Sequence, residues 1–442
     1  MRSWLMSTVV GAAALGFTAV GVTSLAWSAN STNSEREEVY QQLDLFAEIL
    51  ARVDTEYVID VDQSDAMENA INGMLASLDP HSSYLPASAY EDMQEQTSGE
   101  YGGLGIEVSS FEGYVKIVSP IDDSPAARAD LRSGDLISAI DGVSIVGKTL
   151  EDAISGMRGE VGTDIVITVI RAGEDEPFDV TLTREIIRPK SVVHEVMEED
   201  IGYVRISAFN ERTTELLAES LSALETELGN HPAGLILDLR NNPGGLLDQA
   251  ISVSSMFLDS GEVVSTRGRD PRDIQRYNAT RGERFAEVPI MVLINGGSAS
   301  AAEIVAGALQ DMERAQILGM TSFGKGSVQT VIPLSAQRGA LRLTTARYYT
   351  PSGRSIQATG IEPDFEVAQY HITEDQLEDM RRFSEADLPN ALDNDSGSER
   401  VEIHMPADMP AEDYEGEDYQ LERAIEQLRT ITLSSVDHAT SG

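Results

Sequence analysis

Ile290-Met291-Val292-Leu293-Ile294-Asn295-Gly296-Gly297-Ser298-Ala299-Ser300-Ala301-Ala302-Glu303-Ile304 holds three kinds of residue in succession, and each asks for a different backbone. Five consecutive apolar residues bounded by a turn signal are what a strand buried on both faces requires. The two glycines after Asn295 make a tight turn. From Ser300 the chain is rich in alanine and keeps helical spacing through residue 310. Strand, turn and helix in that order would hold the Ser300 hydroxyl at the positive end of a helix. There the macrodipole and the unsatisfied N–H groups favour a developing negative oxygen. Serine is also a common helix cap, and this window alone favours Ser300 or Ser298 as an N-cap and nothing more.

Outward from this stretch, strands alternate with helices. Residues 203–206 and 235–239 read as strands, and residues 213–227 and 246–257 as helices. Such alternation predicts a parallel or mixed sheet covered by helices, the core of an α/β multidomain chain, here assigned to residues 186–370. Residues 328–334 and 341–349 look like further strands, joined by a polar turn at 336–339. Residues 371–442 are acidic and rich in turn formers. They read as a mostly exposed linker, with residues 393–400 as candidates for disorder, followed by a docking helix carried by Tyr419, Leu421, Ala424, Ile425 and Leu428. Upstream, residues 101–185 are short strands separated by glycines, with one helix at 150–157, and read as a small domain. Residues 38–100 carry helical spacing at Val39, Leu43, Phe46, Leu50 and Val53 and again over 66–78. They end in a turn at Leu78-Asp79-Pro80-His81-Ser82-Ser83-Tyr84-Leu85, since proline breaks a helix.

At 442 residues the chain exceeds one compact core, and two or three units are expected. The 74 acidic against 32 basic residues give a net charge of -42, which repels phosphate backbones and excludes nucleic acid as a partner. Without cysteine there are no disulfides or thiolate metal sites, and the six histidines never fall at a ligand spacing, so no metal is expected. Arg2 precedes an apolar run over residues 9–26, and Ala26-Trp27-Ser28 offers small residues where a signal peptidase cuts. The chain is therefore expected to be exported, with residues 1–29 as signal peptide or membrane anchor. The tryptophans Trp4 and Trp27 bracket the run as interface residues would, so cleaved signal and retained anchor both stay open.

In the small domain, Tyr101-Gly102-Gly103-Leu104-Gly105-Ile106-Glu107-Val108 puts glycines in a turn just before a strand. Successive N–H groups of such a turn can converge on an anion, and the strand would leave a free edge facing the helix at 150–157. The segment resembles a bacterial PDZ domain, with Ser124-Pro125-Ala126-Ala127-Arg128-Ala129-Asp130-Leu131 and Gly134-Asp135-Leu136-Ile137-Ser138-Ala139-Ile140-Asp141-Gly142 as its longer matches. The resemblance implies that Gly103, Leu104, Gly105 and Ile106 bind a peptide's terminal carboxylate. Asp130 stands where that family usually has glycine, and aspartate tolerates a left-handed backbone.

Ser322-Phe323-Gly324-Lys325-Gly326-Ser327 places a lysine between two glycines beside apolar strands. Desolvation there would lower its pKa and make it a base near neutral pH. Both windows resemble the carboxyl-terminal processing peptidases, tail-specific proteases that pair serine with lysine. The likeness extends over about residues 41–428. Its strongest matches are Gly297-Ser298-Ala299-Ser300-Ala301-Ala302-Glu303-Ile304, Gln310-Asp311, Phe323-Gly324-Lys325-Gly326-Ser327-Val328-Gln329, Tyr348-Tyr349-Thr350-Pro351-Ser352-Gly353 and Gly360-Ile361-Glu362-Pro363-Asp364. It implies a ClpP/crotonase-like mixed-sheet core, a Ser300 nucleophile, a Lys325 general base and Gln329 to orient the lysine. Asp238-Leu239-Arg240-Asn241-Asn242-Pro243-Gly244-Gly245 matches too, and the N–H of Gly244 or Gly245 with that of Ala301 would form the oxyanion hole. Ala302 replaces a serine common in the family.

The implied reaction is acyl transfer at a peptide carbonyl without a cofactor. Protein or peptide substrates with accessible tails are the expected partners, with an adaptor protein and a homo-oligomer left open. The expected location is the periplasm, free or anchored to the inner membrane. The rival is a scaffold that binds tails without cutting them. A P-loop is excluded because Gly326 stands where serine or threonine must hold magnesium. His81 and His231 lie in turns and are read as structural, against a Ser/His/Asp hydrolase.

Overall fold

The strand Ile290–Ile294 forms in a computed structural model that describes residues 21–229, 232–270, 272–335, 338–397 and 404–440, and all five of its side chains are buried. Alternate side chains serve different cores, as the period of a strand requires. Ile290, Val292 and Ile294 join one apolar cluster, Met291 and Leu293 another. The neighbouring strand Gly234–Asp238 repeats this, with Leu235 and Leu237 on the first face and Ile236 on the second.

These two strands are the centre of a six-stranded sheet. Its order is Val192–Met197, Ile201–Ile206, Gly234–Asp238, Ile290–Ile294, Ala315–Gly319 and Phe365–Glu366. The first pairing is antiparallel and the other four are parallel, so the sheet is mixed. Helices Thr213–Leu228, Leu247–Ser255 and Ala301–Asp311 bury their apolar faces on one side, and the C-terminal helix Tyr419–Thr440 sets Ala424 and Leu428 against the other. The docking helix read from residues 419–428 is therefore present. Strands 192–197, 315–319 and 365–366 go beyond the elements read from the sequence.

A second sheet joins Ser83–Leu85, Ala340–Tyr349, Glu262–Gly268 and Ile274–Asn278, with Ser327–Pro333 also paired to Ala340–Tyr349. The turn expected over residues 78–85 thus ends in a short strand, Ser83 to Leu85 opposite Arg342 to Ala340. This pairing carries the turn around Pro80 into the sheet that also holds the strand following Lys325.

The inserted β domain enters and leaves through a two-stranded ladder, Tyr101–Gly103 against Glu185–Ile187. Between them lies a six-stranded sheet around its own apolar cluster, with the helix Leu150–Met157 where its spacing predicts it. Asp130 takes φ 57°, the left-handed conformation expected of it, and a four-residue helix, Pro125–Arg128, precedes it. The mixed α/β core with a β-rich insertion stands as the sequence implies.

The chain divides into two units, residues 1–73 and 74–442. The first holds helix Gly21–Glu56, followed by the start of helix Gln63–Ala76. Most of the apolar run at residues 9–26, with Arg2 and Trp4, lies outside the described residues. Among those described, no helix is long and apolar enough to cross a membrane. His231 and residues 398–400 of the segment read as disordered also lie outside them.

Candidate active site

Ser300 is the N-cap of helix Ala301–Asp311, with φ 53° and ψ −111°. An ordinary capping serine sits in the β region, so capping does not explain this backbone. A left-handed non-glycine residue costs about 1–3 kcal/mol, and such strain persists where the surroundings impose it. The alternative cap, Ser298, is fully buried and occupied, donating from Oγ to Leu239 O at 2.8 Å and accepting from Asn295 N–H at 3.0 Å. That leaves Ser298 as a tie between two turns and Ser300 as the hydroxyl at the helix start.

The Ser300 N–H is held by Glu303, one turn into the same helix and 0% exposed. Its Oε2 accepts the N–H of Ser300 at 2.7 Å and the N–H of Lys325 at 3.0 Å. Its Oε1 accepts Ser322 Oγ at 2.6 Å and Gly324 N–H at 2.7 Å. One carboxyl oxygen thus joins the main chain of the two residues singled out in separate windows. Burial pushes the Glu303 pKa up, to about 7, against the opposing pull of Ser322, Gly324, Ser300 and Lys325. Glu303 appears in the sequence only as part of a motif. The one available signal for it is an acidic residue three positions after a serine, the pattern of a capping box.

Lys325 is largely buried, and desolvation followed by the Arg342 guanidinium lowers its pKa below that of an ordinary lysine. Among the described residues its Nζ has no hydrogen-bond or ion-pair partner, and Ser300 Oγ is not within hydrogen-bond distance of it. Serine and lysine share an anchor without a direct bond. The flanking glycine Gly326 is required, since a Cβ there would lie 2.2 Å from Gln357 N. Gln329 donates from Nε2 to Ser327 Oγ at 3.0 Å and to Thr344 Oγ1 at 3.2 Å, so its amide nitrogen does not orient the lysine, while its Oε1 accepts nothing among the described residues. A depressed lysine pKa disfavours the folded state below the ordinary lysine range, since folding then opposes the bound proton. Lys325→Met is expected to be more stable than the parent at neutral pH, with the gain shrinking toward the lysine range. Urea melts at several pH values check this, and a pH-independent difference contradicts it.

The turn after Gly234–Asp238 lies against Ser300. A Cβ on Gly244, which has φ 99°, would come within 2.8 Å of Ser300 Cβ and 2.9 Å of Ala301 N. Gly244 N–H is already given to Asn242 Oδ1 at 2.8 Å, whereas the N–H groups of Gly245 and Ala301 find no acceptor among the described residues. The turn is anchored from behind by Arg240, which bonds Asp238 and reaches Asp418 at 2.7 and 2.8 Å and Gln420 at 3.2 Å beside the C-terminal helix. Asp311, at the other end of the Ser300 helix, accepts Ser352 N–H at 2.9 Å.

In the inserted domain, Ile106–Phe111 is an edge strand, and a groove of about 210 Å³ runs between it and helix Leu150–Met157. Gly103, Leu104, Gly105 and Ile106 line it with the apolar side chains of Val108, Ile154 and Met157. The N–H groups of Leu104 and Gly105 have no acceptor among the described residues. Arg158, not singled out in the sequence, stands at the same groove over the Tyr101 ring, and its Nε is buried without a partner.

The model of peptidase family S41 matches residues 200–367, that of the PDZ domain residues 102–182, and that of the activating protease CtpB N-terminal domain residues 10–89. The chain is 55% identical over 340 residues to the carboxy-terminal-processing protease of Bartonella bacilliformis, covering 77% of this chain and 78% of that one. It is 32% identical over 360 residues to the carboxy-terminal processing protease CtpA of Bacillus subtilis, covering 81% and 75%. Among solved structures, the photosystem II D1 C-terminal processing protease is 29% identical with a TM-score of 0.44, over 79% of this chain and 98% of that one.

Proposed function

Since the chain belongs to the carboxy-terminal-processing proteases of peptidase family S41, serine-type peptidases that here carry a PDZ domain, we propose that it cuts exported proteins whose C-terminal tails its PDZ groove captures, using Ser300 as nucleophile and Lys325 as general base. The observation that carries this reading is the single oxygen of Glu303 that binds the N–H of both residues. Neutral Lys325 takes the hydroxyl proton as Ser300 Oγ bonds to the scissile carbonyl carbon. The lysine then gives that proton to the leaving amine, and water releases the acyl group by the same route.

The carbonyl oxygen, negative in the intermediate, is received by the N–H groups of Gly245 and Ala301, because Gly244 has spent its own on Asn242. The free Oε1 of Gln329 is the atom able to accept from the ammonium and orient it. In the PDZ domain, the N–H groups of Leu104 and Gly105 with the Arg158 charge suit a terminal carboxylate. Leu104, Ile154 and Met157 suit an apolar last side chain. The N-terminal apolar run supports export to the periplasm, as a cleaved or anchored form.

Two peptides of one sequence, one with a free and one with an amidated C-terminus, test the capture step. Tethering raises local concentration, so amidation is expected to lower kcat/KM at least about tenfold. Equal cleavage of the two would overturn tail capture, and binding without cleavage would favour the scaffold reading.

A further inference from the structure

Four charged groups act on the Lys325 ammonium, namely Arg342, Glu385, Glu303 and Asp79. Among the described residues none of the three carboxylates forms an ion pair with it, and each is engaged elsewhere. Glu303 holds its four donors. Asp79 accepts the N–H groups of His81 and Ser82, both at 2.9 Å, Ser82 Oγ at 2.6 Å and Thr344 Oγ1 at 2.9 Å. Glu385 accepts Gln357 Nε2 at 3.0 Å and faces His81 Nε2 with both oxygens, at 2.9 and 2.8 Å.

Glu385 comes from the acidic segment read in the sequence as an exposed linker, yet it is 0% exposed. It is also fastened to the lysine turn at two points. Its own N–H donates to Phe323 O at 3.0 Å, and its partner Gln357 accepts Gly326 N–H through Oε1 at 3.0 Å. Of the three carboxylates, its charge acts most strongly to keep the lysine protonated. The more of that charge is left uncovered, the more it favours the protonated lysine.

His81 faces both oxygens of that carboxylate. Its Nε2 confronts two carboxylate oxygens and must carry the hydrogen. The residue is fixed on both sides, for its N–H is held by Asp79 and its carbonyl accepts Arg342 Nε at 3.1 Å. Thr344, which donates to Asp79, also accepts from Gln329. A continuous chain of bonds therefore runs from Gln329 to Gly326, which directly follows Lys325.

We propose that His81 is a positioning residue for the general base: by covering both oxygens of Glu385 it keeps that carboxylate a clamp for the Lys325 turn and denies it to the ammonium. This rests on the reading of Lys325 as base. A merely structural histidine would affect stability and leave the pH dependence of cleavage where it is.

The test is kcat/KM against pH, from about pH 6 to about pH 10, for the full chain and three variants, with Lys325→Ala as control. His81→Gln covers one oxygen and carries no charge. Its rising limb is expected to move to higher pH by about one unit, a roughly tenfold loss at pH values below the limb. Glu385→Gln, isosteric and uncharged, is expected to move the limb to lower pH. The double variant is expected to follow Glu385→Gln. An unmoved limb in His81→Gln, or an alkaline shift that survives Glu385→Gln, overturns the proposal. If His81→Gln fails to fold by circular dichroism, Glu385→Gln alone decides, an unmoved limb again being the contrary result. Residual activity in Lys325→Ala would instead reject the base itself.

Discussion

Ser300→Ala and Lys325→Ala are each expected to lower kcat/KM for a tailed peptide by about a thousandfold or more, since each removes a group on which the whole acyl transfer depends. Lys325→Arg is expected to fail equally, because a guanidinium does not give up its proton near neutral pH. All three should remain folded. The bonds that join the two windows come from the N–H groups of Ser300 and Lys325, and substitution leaves main chain in place. Kinetics with matched thermal melts check both halves, and a folded variant cleaving within about tenfold of the parent would reject the assigned role.

The second large effect is expected at Glu303. In Glu303→Gln one carboxyl oxygen becomes an NH₂ that must face two donors, either the N–H groups of Ser300 and Lys325 or Ser322 Oγ and Gly324 N–H. Ser322 Oγ could turn, but it also accepts Ile361 N–H at 2.7 Å. Each buried donor left unmatched costs about 1–3 kcal/mol, so a loss of about 2–6 kcal/mol is expected, with the melting midpoint lower by several degrees. Activity should fall by about a hundredfold or more even where the variant is fully folded, because small displacements between nucleophile and base are costly. Denaturant melts and kcat/KM at a temperature well below the transition separate the two effects. A variant of parental stability and activity would show that the shared carboxylate does not hold the site.

Legibility in the sequence followed the range of the interaction. The strand Ile290–Ile294 and the helix Leu150–Met157 are set by their own side chains, and both stand where their patterns place them. The left-handed turn at Asp130 is likewise a property of one residue. The three-residue strand Ser83–Leu85 was read as turn because it is too short to show a period, and its partner lies more than 250 residues away. The clearest losses were carboxylates. With 74 acidic residues in the chain, composition describes a solvated surface, and nothing local marks Glu303 or Glu385 as the two that are wholly buried beside a lysine. His81 was read as a structural turn residue, since its contact with Glu385 spans 304 positions. Motif resemblance named Ser300 and Lys325, but it could not say which glycine keeps a free N–H. That depends on how the Asn242 side chain folds back on Gly244.

The most direct test is covalent labelling of Ser300 by a serine-directed acylating reagent at neutral pH, read by mass spectrometry in the parent and in Lys325→Ala. The expected result is a single adduct on the peptide carrying Ser300 in the parent and almost none in Lys325→Ala, whose serine has no base to take its proton. Equal labelling of Ser300 in both proteins would contradict the pairing of this serine with this lysine.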